Sequence, residues 1–456
     1  MNQSVEKLKN DLGYTKSFDL TFREVVTEYH KYYVIFFNFL INNNAIVKII
    51  YSLNNYNSYE GIDYLSKVIL NESTSISNDY DEIYDAILNG NVVIFLDNDS
   101  SALISEVRNY PTRSISEPDS EKVVRGSKDG FTENIAINIG LIRRRIKTGK
   151  LIIEKYIIGK MSRTLIALVY INDYVDKKSL EYVKEKLKLI KVEELTMSDK
   201  ALEELLIASN HSIYPLIKYT ERPDTFSTHL YQGMFGILVD TSPSAMLGPI
   251  SIFDHMQHAE EFRQTKVAGS YLRITRFLGV ILSFLIVPLW FGLIDFDFFH
   301  LSYFGKIFDV NLDRFSILIQ LLLMELGIEF IRMASIHTPN ALSTSMGIIA
   351  GVIIGEMAIS MNILSEQIVL LGAVSAIGSY ITPSYELSLA NKIVKILIIL
   401  LVFLFKIWGL IIGILCLIIY LFKLKSFTRS YLYPLFPFNK KAFKKQIFRK
   451  SYKDNN

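Results

Sequence analysis

Two stretches, AILNGNVVIFLDNDSSALI at 86–104 and HLYQGMFGILVDTSPSAML at 229–247, read alike element by element. Gly90 and Gly233 each stand seven residues before an aspartate, Asp97 and Asp240, and Ser101-Ala102 and Ser244-Ala245 follow at the same spacing. The local chemistry is a helix closed by glycine, a buried strand, an Asp-led turn and a returning strand. The match extends upstream: KYYVIFFNFLI (31–41) leads into the helix-like AIVKIIYSL, and RTLIALVYIND (163–173) leads into the amphipathic LEYVKEKLKLI. The N-terminal half is therefore expected to be an α+β region built from two related α/β modules. Two β-hairpins of a common type are the competing explanation.

At 456 residues the chain exceeds one hydrophobic core, so two or three domains are expected. The net charge of +3 hides an uneven distribution, because residues 277–422 hold only 15 Asp, Glu, Lys or Arg. That region reads as a C-terminal α-helical, polytopic membrane domain. The N-terminus lacks the apolar core of a signal peptide, which places the first half in the cytoplasm. The single cysteine, Cys416, gives no disulfide framework within the chain. The expected boundaries are 1–115 for module 1, 116–150 for a linker and basic helix, 151–262 for module 2, 263–425 for the membrane domain and 426–456 for a basic tail.

Five apolar segments stand out: 277–294 with Pro288 as a kink position, 315–336, 346–364, 366–383 and 393–422. Arg263, Lys266, Arg273 and Arg276 precede the first, and ten Lys or Arg with one Asp follow the last, so both ends are expected on the cytoplasmic side. Five crossings contradict two cytoplasmic ends. The segment 315–336 is the natural candidate not to span, since it contains LLLMELGIEFIR with Glu325, Glu329 and Arg332. Its twelve Leu, Ile and Phe contribute about −6 kcal/mol to insertion while three charges cost about +9. Such a helix needs a water-filled cavity or a protein partner, and a re-entrant course is one solution.

The three charges are spaced i, i+4, i+7 and share a stripe. One reading is an internal Glu329–Arg332 pair at a helix end; the other is a polar face on a conduction path, with Glu356 on the next segment added to it. Gly347, Gly351 and Gly355 form a close-packing face, and Ser375 and Ser379 form a second small-residue stripe. Either stripe serves helix packing or lines a narrow pore. In the linker, Arg143-Arg144-Arg145 ends a helix; it is either a solvated basic end or an inter-module, subunit or lipid contact. No aromatic interleaving points to nucleic acid. Asp254-His255-x-x-His258-x-x-Glu261 has metal-ligand residue types but no second cluster, so neither metal nor cofactor is expected. GxSxG, Walker A and GxGxxG patterns are absent, and the chain is not expected to be an enzyme.

Several strings together resemble the A subunits of bacterial spore germination receptors: SEKVVRGSKDGFTENIAINIGLIRRRI, YTERPD (219–224), DTSPSA (240–245), MELGIEFIR (324–332), ITPSYELSLA (381–390) and SFTRSYLYPL (426–435). They run in family order from about residue 20 to 440. DTSPSA with HAEEFRQ (258–264) looks most like a sporulation branch of that family, against an ordinary nutrient-receptor subunit, while LGPISIFDH (247–255) departs from the family pattern. The resemblance implies a multi-pass protein of the spore inner membrane, oligomeric, working as a gated channel that releases monovalent cations. It also implies a polytopic B-type partner and, for that branch, action beside the dipicolinate-release machinery. A secondary transporter and a non-conducting scaffold are the rival functions.

Overall fold

The computed structural model describes residues 3–28, 30–55, 61–69, 73–97, 99, 101–110, 121, 123, 125–207, 212–295, 305–308, 310, 312–337, 351, 356 and 358–449. The chain divides into two compact units. The first holds Met1–Asn210, Leu216–Ile250 and Ser426–Arg429; the second holds the remainder.

In the first unit one series of elements occurs twice. Helix α1 (Gln3–Asp11) precedes β1 (Leu20–Val26), β2 (Lys31–Phe37), α2 (Asn43–Asn54), α3 (Ile62–Val68), β3 (Thr74–Ser77), α4 (Tyr80–Leu88), β4 (Val92–Leu96) and β5 (Ala102–Ser105). Helix α5 (Ile135–Arg145) then precedes β6 (Leu151–Ile158), β7 (Thr164–Ile171), α6 (Lys177–Leu189), α7 (Ser198–Leu206), β8 (Lys218–Thr220), α8 (Pro223–Tyr231), β9 (Phe235–Val239) and β10 (Ala245–Gly248). The two five-stranded sheets have strand orders β1-β2-β4-β5-β3 and β6-β7-β9-β10-β8, antiparallel throughout. Each is covered on both faces. Alternate residues of β2 show why: Tyr32, Val34 and Phe36 pack under α2 and α3, while Tyr33, Ile35 and Phe37 pack against α1 and α4. In the second sheet β7 sends Ile166, Leu168 and Tyr170 toward α6 and α7, and Ala167, Val169 and Ile171 toward α5 and α8. Two buried faces explain why β4 and β9 read as unbroken apolar runs. Gly90 and Gly233 both hold positive φ, +79° and +91°, at the exits of α4 and α8, where a side chain would be strained.

Four residues far along the chain complete module 2. Ser426 Oγ donates to Leu216 O (2.7 Å) and accepts from Ile250 N (3.0 Å), and the Phe427 ring lies 5.0 Å from Phe235.

The second unit is helical. Helix α9 (Ile252–His255) and a 3-10 turn (Ala259–Arg263) lead into α10 (Lys266–Leu293), which continues through the buried Pro288. Then come α11 (Arg314–His337), α12 (Glu366–Ile381), α13 (Tyr385–Phe405) and α14 (Ile407–Lys423). Two of these helices, α10 and α13, are long and apolar enough to cross a membrane. Their 28 and 21 residues correspond to about 42 and 32 Å of helix, against a hydrocarbon thickness of about 30 Å.

The structure corrects one expectation here. The run 393–422 is not one segment: it breaks at Lys406, whose φ is +56°, and α14 packs back along α13. A Cβ on Gly409 would sit 2.0 Å from Leu401 O, so only glycine permits that return. The stretch 315–336 lies within a continuous 24-residue helix, α11. Helices α10 and α12 run antiparallel at close range, with Gly378 against Gly279 and Ser375 Oγ donating to Ser283 O (2.7 Å). Helices α11 and α12 run parallel, since Gln320 meets Ser365 and Met324 meets Gly372.

Candidate functional site

Why three charges tolerate an apolar helix is answered by α13. Along α11, Glu325, Glu329 and Arg332 follow at spacings of four and three; along α13, Ser388, Lys392 and Lys395 do the same. Both stripes stay on one helical face, and antiparallel packing sets Glu325 against Lys395, Glu329 against Lys392 and Arg332 against Ser388.

The rungs differ in closure. Glu325 Oε1 lies 2.6 Å from Lys395 Nζ, with side chains 6% and 2% exposed. Lys395 also donates to Ser375 Oγ (2.8 Å), whose hydroxyl in turn donates to Ser283 O. Lys392 donates to Glu329, and Arg332 Nε stands 3.6 Å from the same carboxylate. Arg332 Nη1 donates to Ser388 Oγ (3.2 Å), which is bonded to Ser379 Oγ (2.6 Å), and the guanidinium lies over the Tyr385 ring at 4.5 Å. Two carboxylates face three cations, so the group carries one surplus positive charge. Arg332 is 7% exposed, yet its Nε and Nη2 have no hydrogen-bond partner among the described residues. Beside the ladder, Tyr214 donates its hydroxyl to Asn391 Oδ1 (3.0 Å).

This placement corrects the picture of glutamates open to a path. In this conformation both carboxylates are neutralised within one chain, and the local Glu329–Arg332 pair is only the longest link. Sequence reading missed Lys392 and Lys395, the first just outside an apolar segment and the second absorbed into one. The signal was available in the matching four-and-three spacing of the two stripes.

Of the remaining stripe residues, Ser375 and Ser379 are buried between helices as polar links. Gly347 and Gly355 lie outside the described residues. Gly351 is exposed and meets no helix among the described residues, and Glu356 is exposed and takes no part in the ladder. Close helix approach falls instead to Gly279, Gly378 and Gly409.

The arginine run is used inside the first unit. Arg143 bonds both oxygens of Asp19 (2.7 and 2.9 Å), Ser17 Oγ (2.9 Å) and Leu151 O (2.9 Å), and covers the Phe37 ring; both partners of the ion pair are about fully buried. It thus joins module 1, the linker helix and module 2. Arg145 pairs with Asp129, and Arg144 lies over Tyr110. An exposed three-arginine surface for lipid is therefore not what this run forms. The linker is held from the other side by Arg222 of YTERPD, whose Nη1 donates to Glu121 O (3.1 Å) and Nη2 to Ser127 O (2.8 Å). Asp240 and Thr241 of DTSPSA meet the start of α5: Ile135 N donates to Asp240 Oδ1 (3.4 Å) and Thr241 N to Glu133 O (2.8 Å). Asp254, His255, His258 and Glu261 do not converge. Asp254 completes a capping box with Ser251, His255 meets Pro215 O, His258 caps the 3-10 turn, and Glu261 holds Arg273 (2.7 Å) and Arg276.

Comparisons with known proteins bear on these motifs. Stage V sporulation protein AF of Bacillus subtilis (strain 168) is 39% identical over 452 residues, covering 97% of this chain and 91% of that protein. Spore germination protein KA of the same organism is 28% identical, covering 98% and 84%. A solved structure, the N-terminal domain of the A subunit of the Bacillus megaterium spore germinant receptor GerK3, aligns at 22% identity and a TM-score of 0.42, covering 54% of this chain and 92% of that one. The description "Bacillus/Clostridium GerA spore germination protein" matches residues 6–456, in accord with the strings in the linker, in module 2 and along α11 and α13, and the chain belongs to that family.

Proposed function

We propose that the chain is an A-type subunit of a spore germination complex in the spore inner membrane, and that it passes monovalent cations along a gated path of which the α11–α13 ladder is part. The observation that carries this is the ladder itself: five ionisable side chains on facing stripes of two otherwise apolar helices. Polar groups at that depth are expensive in lipid and are placed where ions or protons must pass. The outward faces suit lipid rather than water: Leu278, Ile281, Leu397, Leu404 and Leu415 are all exposed.

A six-pass course, counting the apolar run 346–364, fits the two cytoplasmic ends that the flanking lysines and arginines favour. The break at Lys406 turns the last apolar run into two passes, and Lys406 lies 3.4 Å from Asp295, which also pairs with Arg314 at the start of α11. Those three residues mark one membrane face, and the α10 start and α14 end mark the cytoplasmic one. On this reading the α/β unit is cytoplasmic, the subunit is oligomeric, and its partners are a B-type polytopic subunit and the dipicolinate-release machinery. No bond-making step and no metal or cofactor belongs to it.

The pairing of both carboxylates inside one chain favours a second reading, a scaffold without conductance. Cation release from germinating spores carrying Glu325→Gln separates the two. A severalfold change in release at normal protein level and normal complex size supports conduction. Unchanged release with the partner subunit still captured establishes the scaffold.

A further inference from the structure

With the linker arginines consumed internally, the basic surface of this protein lies elsewhere. Helix α15 (Lys440–Ile447), sequence KKAFKKQI, is capped by Asn439, whose side chain accepts from Ala442 N (3.1 Å). One of its faces is docked. The Phe443 ring lies 6.2 Å from Phe253 and 6.1 Å from Phe438, Gln446 donates to Asp254 (3.2 Å), and Arg273 of α10 donates to Lys445 O (2.9 Å). The helix is thereby fixed at the start of α10. Its other side carries Lys440, Lys441, Lys444 and Lys445, all exposed and none with an acidic partner among the described residues.

The loop before it is exposed and apolar. Leu435, Phe436 and Phe438 are 42%, 52% and 66% exposed, and the Phe436 ring meets Phe422 at the end of α14 edge to face, with centroids 5.2 Å apart. The apolar outer face of α14 thus runs without interruption into exposed aromatics, and these run into four ammonium groups. Apolar wall, aromatic belt and lysines in that order follow the profile of a bilayer leaflet from acyl chain to headgroup. A free phosphate or a nucleic acid would account for the lysines but not for the uncovered Leu435, Phe436 and Phe438.

We propose that α15 and residues 435–438 form a seat for an anionic phospholipid surface, the lysines meeting phosphodiester headgroups and the aromatics entering the acyl boundary. The proposal rests on the reading of the helical unit as membrane-embedded. Lysine suits this task because its flexible stem lies along apolar surface while its charge reaches the headgroups.

The test uses the full chain in nanodiscs of phosphatidylcholine alone or with phosphatidylglycerol, following chymotryptic cleavage at Phe438 and Phe448. Phosphatidylglycerol should slow cleavage about tenfold, and high salt should remove the protection. Lys440→Gln/Lys441→Gln/Lys444→Gln/Lys445→Gln should be cleaved at one rate in both lipids. Equal rates for the unmodified chain overturn the seat, as does protection that survives the four substitutions. Protection by inorganic phosphate in detergent also overturns it, in favour of a soluble anion. A chain that does not enter nanodiscs overturns the membrane reading itself, which keeps the two failures apart.

Discussion

Both units bury charge, and they do so differently. In the α/β unit Arg143 spends Nε, Nη1 and Nη2 on four fixed acceptors, and Asp19 uses both oxygens on the same guanidinium. In the helical unit Arg332 is nearly as buried, but two of its nitrogens have no hydrogen bond among the described residues and its partner carboxylate is shared with Lys392. The first arrangement has one low-energy geometry and acts as a clamp. The second has a surplus cation and idle donors, so several pairings lie close in energy. A saturated pair holds a fold; an unsaturated one leaves room to change partner.

The largest effect should follow from opening the clamp. Arg143→Met strands the Asp19 carboxylate and should cost about 3–5 kcal/mol, read as a drop in the unfolding midpoint of the full chain. Adding Asp19→Leu should recover most of that loss; a double variant as unstable as the single one would mean that packing of the guanidinium on Phe37, not charge, holds the modules. In the ladder, Lys395→Gln leaves Glu325 buried without its cation and should cost about 3 kcal/mol, seen as lost accumulation of protein. Exchanging Glu325 and Lys395 should restore part of it, because the Ser375 hydroxyl can donate as well as accept. If the exchange restores nothing, the ladder is as rigid as the clamp and the contrast fails.

Smaller effects sharpen the same point. Arg332→Lys gives up one hydrogen bond, to Ser388, and two donors idle among the described residues, and should cost under about 1 kcal/mol in stability, whereas Arg143→Lys loses several bonds in use. Equal losses at the two sites would refute the distinction. The half-buried Glu154 is an intermediate case. Burial alone would raise its carboxyl, but the Lys184 ammonium and the Tyr170 hydroxyl outweigh that and hold it below its ordinary range. Its contribution is therefore present above the unfolded-state carboxylate pKa and is lost as pH falls through the lower folded value. Glu154→Gln should flatten the acid limb of the stability–pH curve by less than about 1 kcal/mol.

How much of this was legible follows from where each signal is stored. The duplicated α/β pattern is written locally: Gly90 and Gly233 must take positive φ, and strands buried on both faces must be apolar throughout. The two charge stripes are equally local, as spacings of four and three. What joins them is not, because Glu325 and Lys395 are 70 residues apart and apolar composition alone cannot pair helices. The break at Lys406 was hidden for a similar reason. A lysine in a long apolar run is compatible with one helix or two, and the choice is made by Gly409 fitting against Leu401. The tail's basicity was visible, but its division into a docked aromatic face and a free lysine face depends on Phe253 and Asp254, nearly two hundred residues earlier.

The four residues that return to module 2 have a consequence for the whole chain. Because Ser426 is hydrogen-bonded to Ile250, the helical unit leaves and re-enters the α/β unit at adjacent points, as a loop of roughly 175 residues shut by one clasp. Closing a loop of that length costs roughly 4–5 kcal/mol of chain entropy, met once by Ser426 and Phe427. In a chain cut at Lys406, Ile250 and Ser426 would still be joined by their hydrogen bond within module 2.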